Sequence, residues 1–185
     1  MSANAAPFGF VATRHPSGEV RAKRYPIASG YANAMYKGMP VILNTNGTVT
    51  AGTANADLLG VLAGVEYISA TSGRPVVDTY WPAGQTATQA YAWVYDDPNT
   101  EFLVQSDGSI ATTALGDQAD VSNVGNNANG QSTCTLSATL AGAGVQAQFR
   151  ITEFDLSIDN AAGDAFTKVL VKIARHQYVA SKTAI

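Results

Sequence analysis

Short apolar runs separated by turn residues recur along the chain from Tyr36 onward, a spacing that suits strands better than helices. The run MPVILNTNGTVTAG, residues 39–52, reads as a strand, a turn at Asn46–Gly47 and a short return. An Asn-Gly pair predicts a type I′ hairpin, which needs positive φ at both central residues. Residues 58–70, LLGVLAGVEYISA, form one apolar stretch interrupted by Gly60 and Gly64. Val61, Val65 and Ile68 favour a strand there, and glycines inside a strand mark a bulge, a bend or a close backbone approach. Runs at 89–95 and 101–105 flank turn residues 96–99 and predict a second hairpin. A short helix or turn is expected at 110–115. Weak strands and a mobile loop around 126–130 are expected in the Gly/Asn-rich stretch that follows. VQAQFRITEFDLSI and FTKVLVKIARHQY, either side of the DNAAGD turn, predict a closing strand pair.

In the closing strand, Val169, Val171 and Ile173 share one parity, and Lys168, Lys172 and His176 share the other. The apolar parity is expected to close the core, with Arg175 and His176 facing a neighbour or the root of the DNAAGD turn. Residues 1–35 carry Pro and Gly too often for a regular helix and read as an extended arm. Phe8, Phe10, Tyr25 and Ile27 are its spaced apolar anchors, which either fold back or lie on a neighbour. The resulting expectation is an all-β, barrel-like single domain of short antiparallel strands with little helix. The arm spans 1–35 and the body 36–185, with a flexible segment near 122–144.

Charge sharpens the picture of the arm. Residues 1–37 hold five cations (Arg14, Arg21, Lys23, Arg24, Lys37) against Glu19, while the remainder holds six cations and thirteen anions. A basic segment on an acidic body can steer association with an acidic surface. The net charge of −3 argues against nucleic-acid binding. Only 14% of residues are charged and 46% are hydrophobic, a balance that suits surfaces covered by a partner.

Candidate chemistry is sparse. His176 with Asp159 and Asp164 nearby is the one base-and-acid grouping, and no serine sits in a Gly-x-Ser-x-Gly elbow. Two histidines and the single Cys134 lack zinc spacing. DLSIDNAAGDAF places acids at the first and fifth positions of a calcium loop, but Asn160 and Phe166 stand where Gly and Glu are required. No phosphate loop is present, so neither cofactor nor metal is expected. No leader pattern opens the chain and no apolar run reaches membrane-spanning length, so a cytoplasmic origin without membrane association is expected. Aromatics give the strongest binding signal. Tyr91, Trp93 and Tyr95 share one face of a strand, with Tyr80 and Trp81 upstream and Ala90, Ala92 and Val94 opposite. A strand apolar on both faces suits a doubly covered core or an oligomer interface, and Tyr91, Trp93 and Trp81 could instead stack on sugar rings.

In this order, the segments PFGFVATRHPSG, YKGMPVIL, GVLAGVEYI, YWPAGQT, VYDDPNTEFLVQSDG and DNAAGDAFTKVLVKIARHQY resemble the capsid cement, or head decoration, proteins of tailed bacteriophages. The resemblance covers nearly the whole chain and is weakest over 122–144. It implies a non-enzymatic virion protein on the capsid exterior, partnered with the major capsid protein and with itself, as a homotrimer or else a homodimer. Phe8, Phe10, Arg14, Arg21 and Arg24 are then the expected capsid contacts, and Tyr91, Trp93 and Tyr95 the expected oligomer interface. Another phage head or tail component, or a carbohydrate-binding β-module, is the alternative.

Overall fold

The computed structural model describes residues 4–127 and 130–180. Residues 1–3 of the expected arm, 128–129 of the expected mobile loop and 181–185 at the end of the expected body lie outside the described residues. In chain order the strands are β1 (Val11–Arg14), β2 (Lys23–Pro26), β3 (Met35–Tyr36), β4 (Pro40–Leu43), β5 (Val49–Ala51), β6 (Gly60–Ser69), β7 (Pro75–Asp78) and β8 (Tyr80–Trp81). They continue with β9 (Ala87–Tyr95), β10 (Glu101–Gln105), β11 (Gln118–Ala119), β12 (Val121–Asn123), β13 (Thr135–Leu136), β14 (Phe149–Phe154) and β15 (Lys168–Ile173). A single 3₁₀ turn, Thr112–Ala114, is the helical part of the described chain. The fold is all-β and antiparallel.

Two main sheets share one apolar core. The first runs β1-β10-β15-β14-β11, and the second runs β2-β9-β6-β4-β5 with β7 also paired to β6. They do not close into a barrel, because among the described residues no pairing joins their outer strands. The core takes Phe102, Val104, Phe149, Ile151, Val169 and Val171 from the first sheet and Val41, Val61, Val65, Ala92 and Val94 from the second.

The closing pair forms as the alternation predicts: β14 and β15 are antiparallel neighbours, and Val169, Val171 and Ile173 are buried. Other turns differ from expectation. Residues 96–99 do not close a hairpin, because β9 belongs to the second sheet and β10 to the first. The turn residues mark where the chain bends, but burying Phe102 and Val104 requires β15 as a partner. At 44–47, only Gly47 has positive φ (80°), and its N–H donates to the Asn44 carbonyl. That makes a type I turn followed by a left-handed glycine, one residue longer than the type I′ form. Both strand glycines in β6 have a local cause. The pairing slips between Leu62 and Gly64, and Gly60 lies against the backbone of Tyr95.

Of the two expected arrangements of the N-terminal segment, the structure has it folded back onto the body. β1 adds to the edge of β10 and β2 to the edge of β9, so residues 11–26 run antiparallel beside the β9–β10 stretch and bridge both sheets. Phe10 enters the core and stacks on Phe149, with ring centroids 4.3 Å apart and planes at 17°.

Candidate functional site

Alternation along β9 sets the most prominent surface. Ala90, Ala92 and Val94 point into the core, which turns Tyr91, Trp93 and Tyr95 outward, each half-buried. The strand is therefore core on one face only, which leaves the oligomer-interface alternative for the other face and not the doubly covered core. Across the β2–β9 pairing Arg24 stands opposite Trp93, and its guanidinium lies 4.2 Å from the Tyr91 ring centre and 5.6 Å from that of Trp93. Glu66 on β6, opposite Tyr91, completes the group. It pairs with Arg24 and accepts a 3.2 Å hydrogen bond from Trp93 Nε1. Val77 on β7, 80% exposed, extends the surface. Shallow grooves of about 470 and 280 Å³ flank it, one beside Gly64, Val77 and Trp93 and the other beside Arg24, Gln89 and Tyr91. An aromatic pair capped by a cation and fixed by a carboxylate is a rigid amphipathic platform. It presents half-exposed aromatic side chains and a guanidinium already held in place.

The expected interface trio is divided by the fold. Tyr91 and Trp93 share the platform, whereas Tyr95 lines a separate cleft of about 440 Å³ with Phe8, Val11, Lys37 and Leu62. Trp81 belongs to neither surface. It is fully buried, edge-on to Tyr67 at 5.2 Å, and cannot stack on a sugar.

The five expected capsid contacts also separate. Phe10 is 2% exposed and is part of the core, so it is not available to a partner. Phe8 is half-buried at the cleft. Arg14 is bound by Glu101 at 2.7 Å and by Glu153, and Lys172 approaches Glu101 at 3.5 Å. Arg21 pairs with Glu19 at 2.6 Å, and Arg24 with Glu66. The arm's positive charge is largely neutralised within the chain. These exposed pairs are screened by solvent and contribute little to stability individually.

His176 and Arg175 do not face the DNAAGD turn. Arg175 pairs with Asp57 at 2.8 Å, and His176 is buried beside Leu58. The imidazole Nδ1 accepts from the Tyr178 N–H at 3.1 Å, which leaves Nε2 to donate to the Asp96 carbonyl at 3.0 Å. The Asp96 carboxylate is itself buried and accepts from Lys23 Nζ at 2.9 Å and Tyr25 OH at 2.6 Å. This hub ties the N-terminal segment, the end of β9 and the chain's last described turn together. Sequence gives no cue to it, because its members lie far apart along the chain.

Burial holds His176 below its ordinary value of 6.5. On acidification the unfolded chain therefore takes up this proton before the folded chain does. The contribution is complete above about 6.5 and is lost as pH falls through the lower folded value. Melting temperature should accordingly drop between pH 7.5 and 5.5, and His176→Gln should show a shallower slope. Parallel slopes in the two proteins would remove His176 as the cause.

A second grouping, absent from the sequence reading, joins Ser17, His15 and Asp97. Ser17 Oγ lies 2.6 Å from His15 Nδ1, and His15 Nε2 lies 3.2 Å from Asp97. The His–Asp leg is out of hydrogen-bond alignment, and the Gly18 N–H is already given to the His15 carbonyl. The arrangement reads as a braced crossing of two turns. Cys134 is buried and its thiol is pushed up by that burial, away from nucleophilic chemistry. Among the described residues no cluster of three or more His, Cys, Asp or Glu side chains is placed to hold a metal ion.

Comparison with protein-family models, curated proteins and solved structures finds no match to this chain.

Proposed function

We propose that this chain is a non-enzymatic capsid cement protein that binds the outside of a phage head, with the Tyr91–Trp93–Arg24 platform turned toward the major capsid protein. The ordered sequence resemblance supplies the class of partner. The observation that carries the choice of surface is the half-exposed aromatic pair held by Arg24 and Glu66, on a strand whose other face is core. Trp, Tyr and Arg are the residues that dominate binding energy at interfaces, and a pre-fixed group loses little entropy on docking. Repetition over an icosahedral lattice, as a homotrimer or else a homodimer, then multiplies modest contacts through avidity.

Heads stripped of this protein and re-decorated with variants test the reading. Trp93→Ala should weaken binding roughly 30-fold or more, the scale of a hot-spot aromatic. Val77→Asp should weaken it further. Undiminished occupancy by the double variant would defeat the proposal. The platform also favours a second reading, a carbohydrate-binding module, since Tyr91 and Trp93 stand together, half-exposed, on the outward face of β9. Glycan-array signal that disappears in Trp93→Ala, with no head binding by the wild type, would select it.

A further inference from the structure

We infer that two copies of this chain meet head to tail, with Leu156 and Ile158 of one seated in the cleft between the N-terminal segment and β9 of the next. This deepens the assembly reading above and rests on the protein being an assembly component. The contact itself needs no capsid.

The loop between β14 and β15 presents the two most exposed large apolar side chains of the described protein, Leu156 at 85% and Ile158 wholly exposed. It is not a loose loop. Asn160 Nδ2 donates to the carbonyls of Asp155 at 2.8 Å and Lys168 at 3.0 Å, while its Oδ1 accepts from the Lys168 N–H at 2.7 Å. Lys168 Nζ holds Asp159 at 2.7 Å, and Ser157 Oγ donates to Asp155. Two aliphatic side chains are thus held out in water on a braced support. A neighbouring pair of this kind marks a contact more than a scattered surface residue does.

The cleft offers a matching receptor. Its roughly 440 Å³ take apolar wall from Phe8, Val11, Leu62 and Tyr95, polar wall from Thr79, Gln131 and Ser132, and one cation, Lys37. Charge selects it over the groove beside Trp93. That groove carries Asp78, which would repel the loop's Asp155. The 440 Å³ cleft instead carries Lys37, an exposed cation with no ion-pair partner among the described residues. The other four cations of the N-terminal segment are already paired. A cleft with apolar side chains in its wall and one unpaired cation among its lining residues complements a loop that is apolar at its tip and carries Asp155 beside it. Because loop and cleft are different surfaces, the contact is heterologous, and repeating it gives a ring or a chain of copies.

Sedimentation velocity of the full chain, from micromolar to several hundred micromolar, tests this. Wild type should exceed the monomer mass as concentration rises. Leu156→Asp with Ile158→Asp should raise the dissociation constant at least tenfold, and so should Val11→Glu with Lys37→Glu. All four side chains are exposed, and unchanged thermal unfolding would show that the variants fold. Mixing the two double variants should give heterodimers and nothing larger, since one intact loop and one intact cleft remain. A monomeric wild type, a loop variant that assembles like wild type, or a mixture that stays monomeric would each overturn the inference. Self-association through the loop without head binding would instead defeat only the cement reading.

Discussion

Phe10→Ala is expected to destabilise the fold by about 3–5 kcal/mol, the range for removing a buried phenylalanine. That is a large share of the roughly 5–15 kcal/mol that holds a typical domain together. The ring is stacked on Phe149, a fully buried residue of β14, while the Phe10 N–H donates to the Gly38 carbonyl at 2.8 Å. Backbone on both sides is therefore fixed, and the cavity left by alanine cannot easily collapse. Equilibrium urea unfolding should show a lower midpoint with the slope unchanged. Phe10→Leu should fall between the two. An unchanged midpoint, combined with lost head binding, would return Phe10 to the surface role that its position in the sequence suggests.

Gly60→Ala is the second change expected to have a large effect. An added Cβ would lie 2.8 Å from Val94 Cγ1, 2.9 Å from the Tyr95 carbonyl carbon and closer still to its oxygen. Side-chain rotation could relieve the first contact but not the others, which are backbone. That backbone has little freedom to retreat, because β9 is paired to β6 on one side and to β2 on the other. Overpacking a core typically costs about 1–3 kcal/mol, and a backbone obstacle belongs at or above the top of that range. At this chain length, about 3 kcal/mol corresponds to a melting temperature lower by roughly 6–12 °C. Gly142→Ala, where nothing lies within 4 Å of the added atom, is the matched control and should be neutral. Equal melting temperatures for the two variants would contradict the close approach of β6 and β9.

How much of this was legible in the sequence depended on whether the cause was local. Strict alternation at Val169, Val171 and Ile173 revealed a buried strand face, because side-chain direction in a strand has period two. Gly60 and Gly64 signalled backbone trouble within an apolar run, and the structure assigns one a close approach and the other a bulge. Partner choice was not legible. Turn residues at 96–99 give the bend but not the sheet that receives the next strand. Aromatic spacing on β9 placed Tyr91 and Trp93 on one face. It could not show that Arg24 and Glu66 converge on them, or that Tyr95 joins Phe8 and Lys37 instead. The arm's cations looked free because their acidic partners, Glu66, Asp96 and Glu101, are distant along the chain.

The placement of β1 and β2 beside β10 and β9 has a consequence for biosynthesis. Val11 pairs with Leu103 and Lys23 with Val94, so β1 and β2 leave the ribosome well before their partners are made. Until then both are unpaired edges, the kind of segment that recruits other chains. Early pairing is discouraged by what those strands carry, since Arg14, Lys23 and Arg24 place like charges on any two nascent copies that approach. The same cations that become internal ion pairs in the finished fold can thus act first as a guard against premature association.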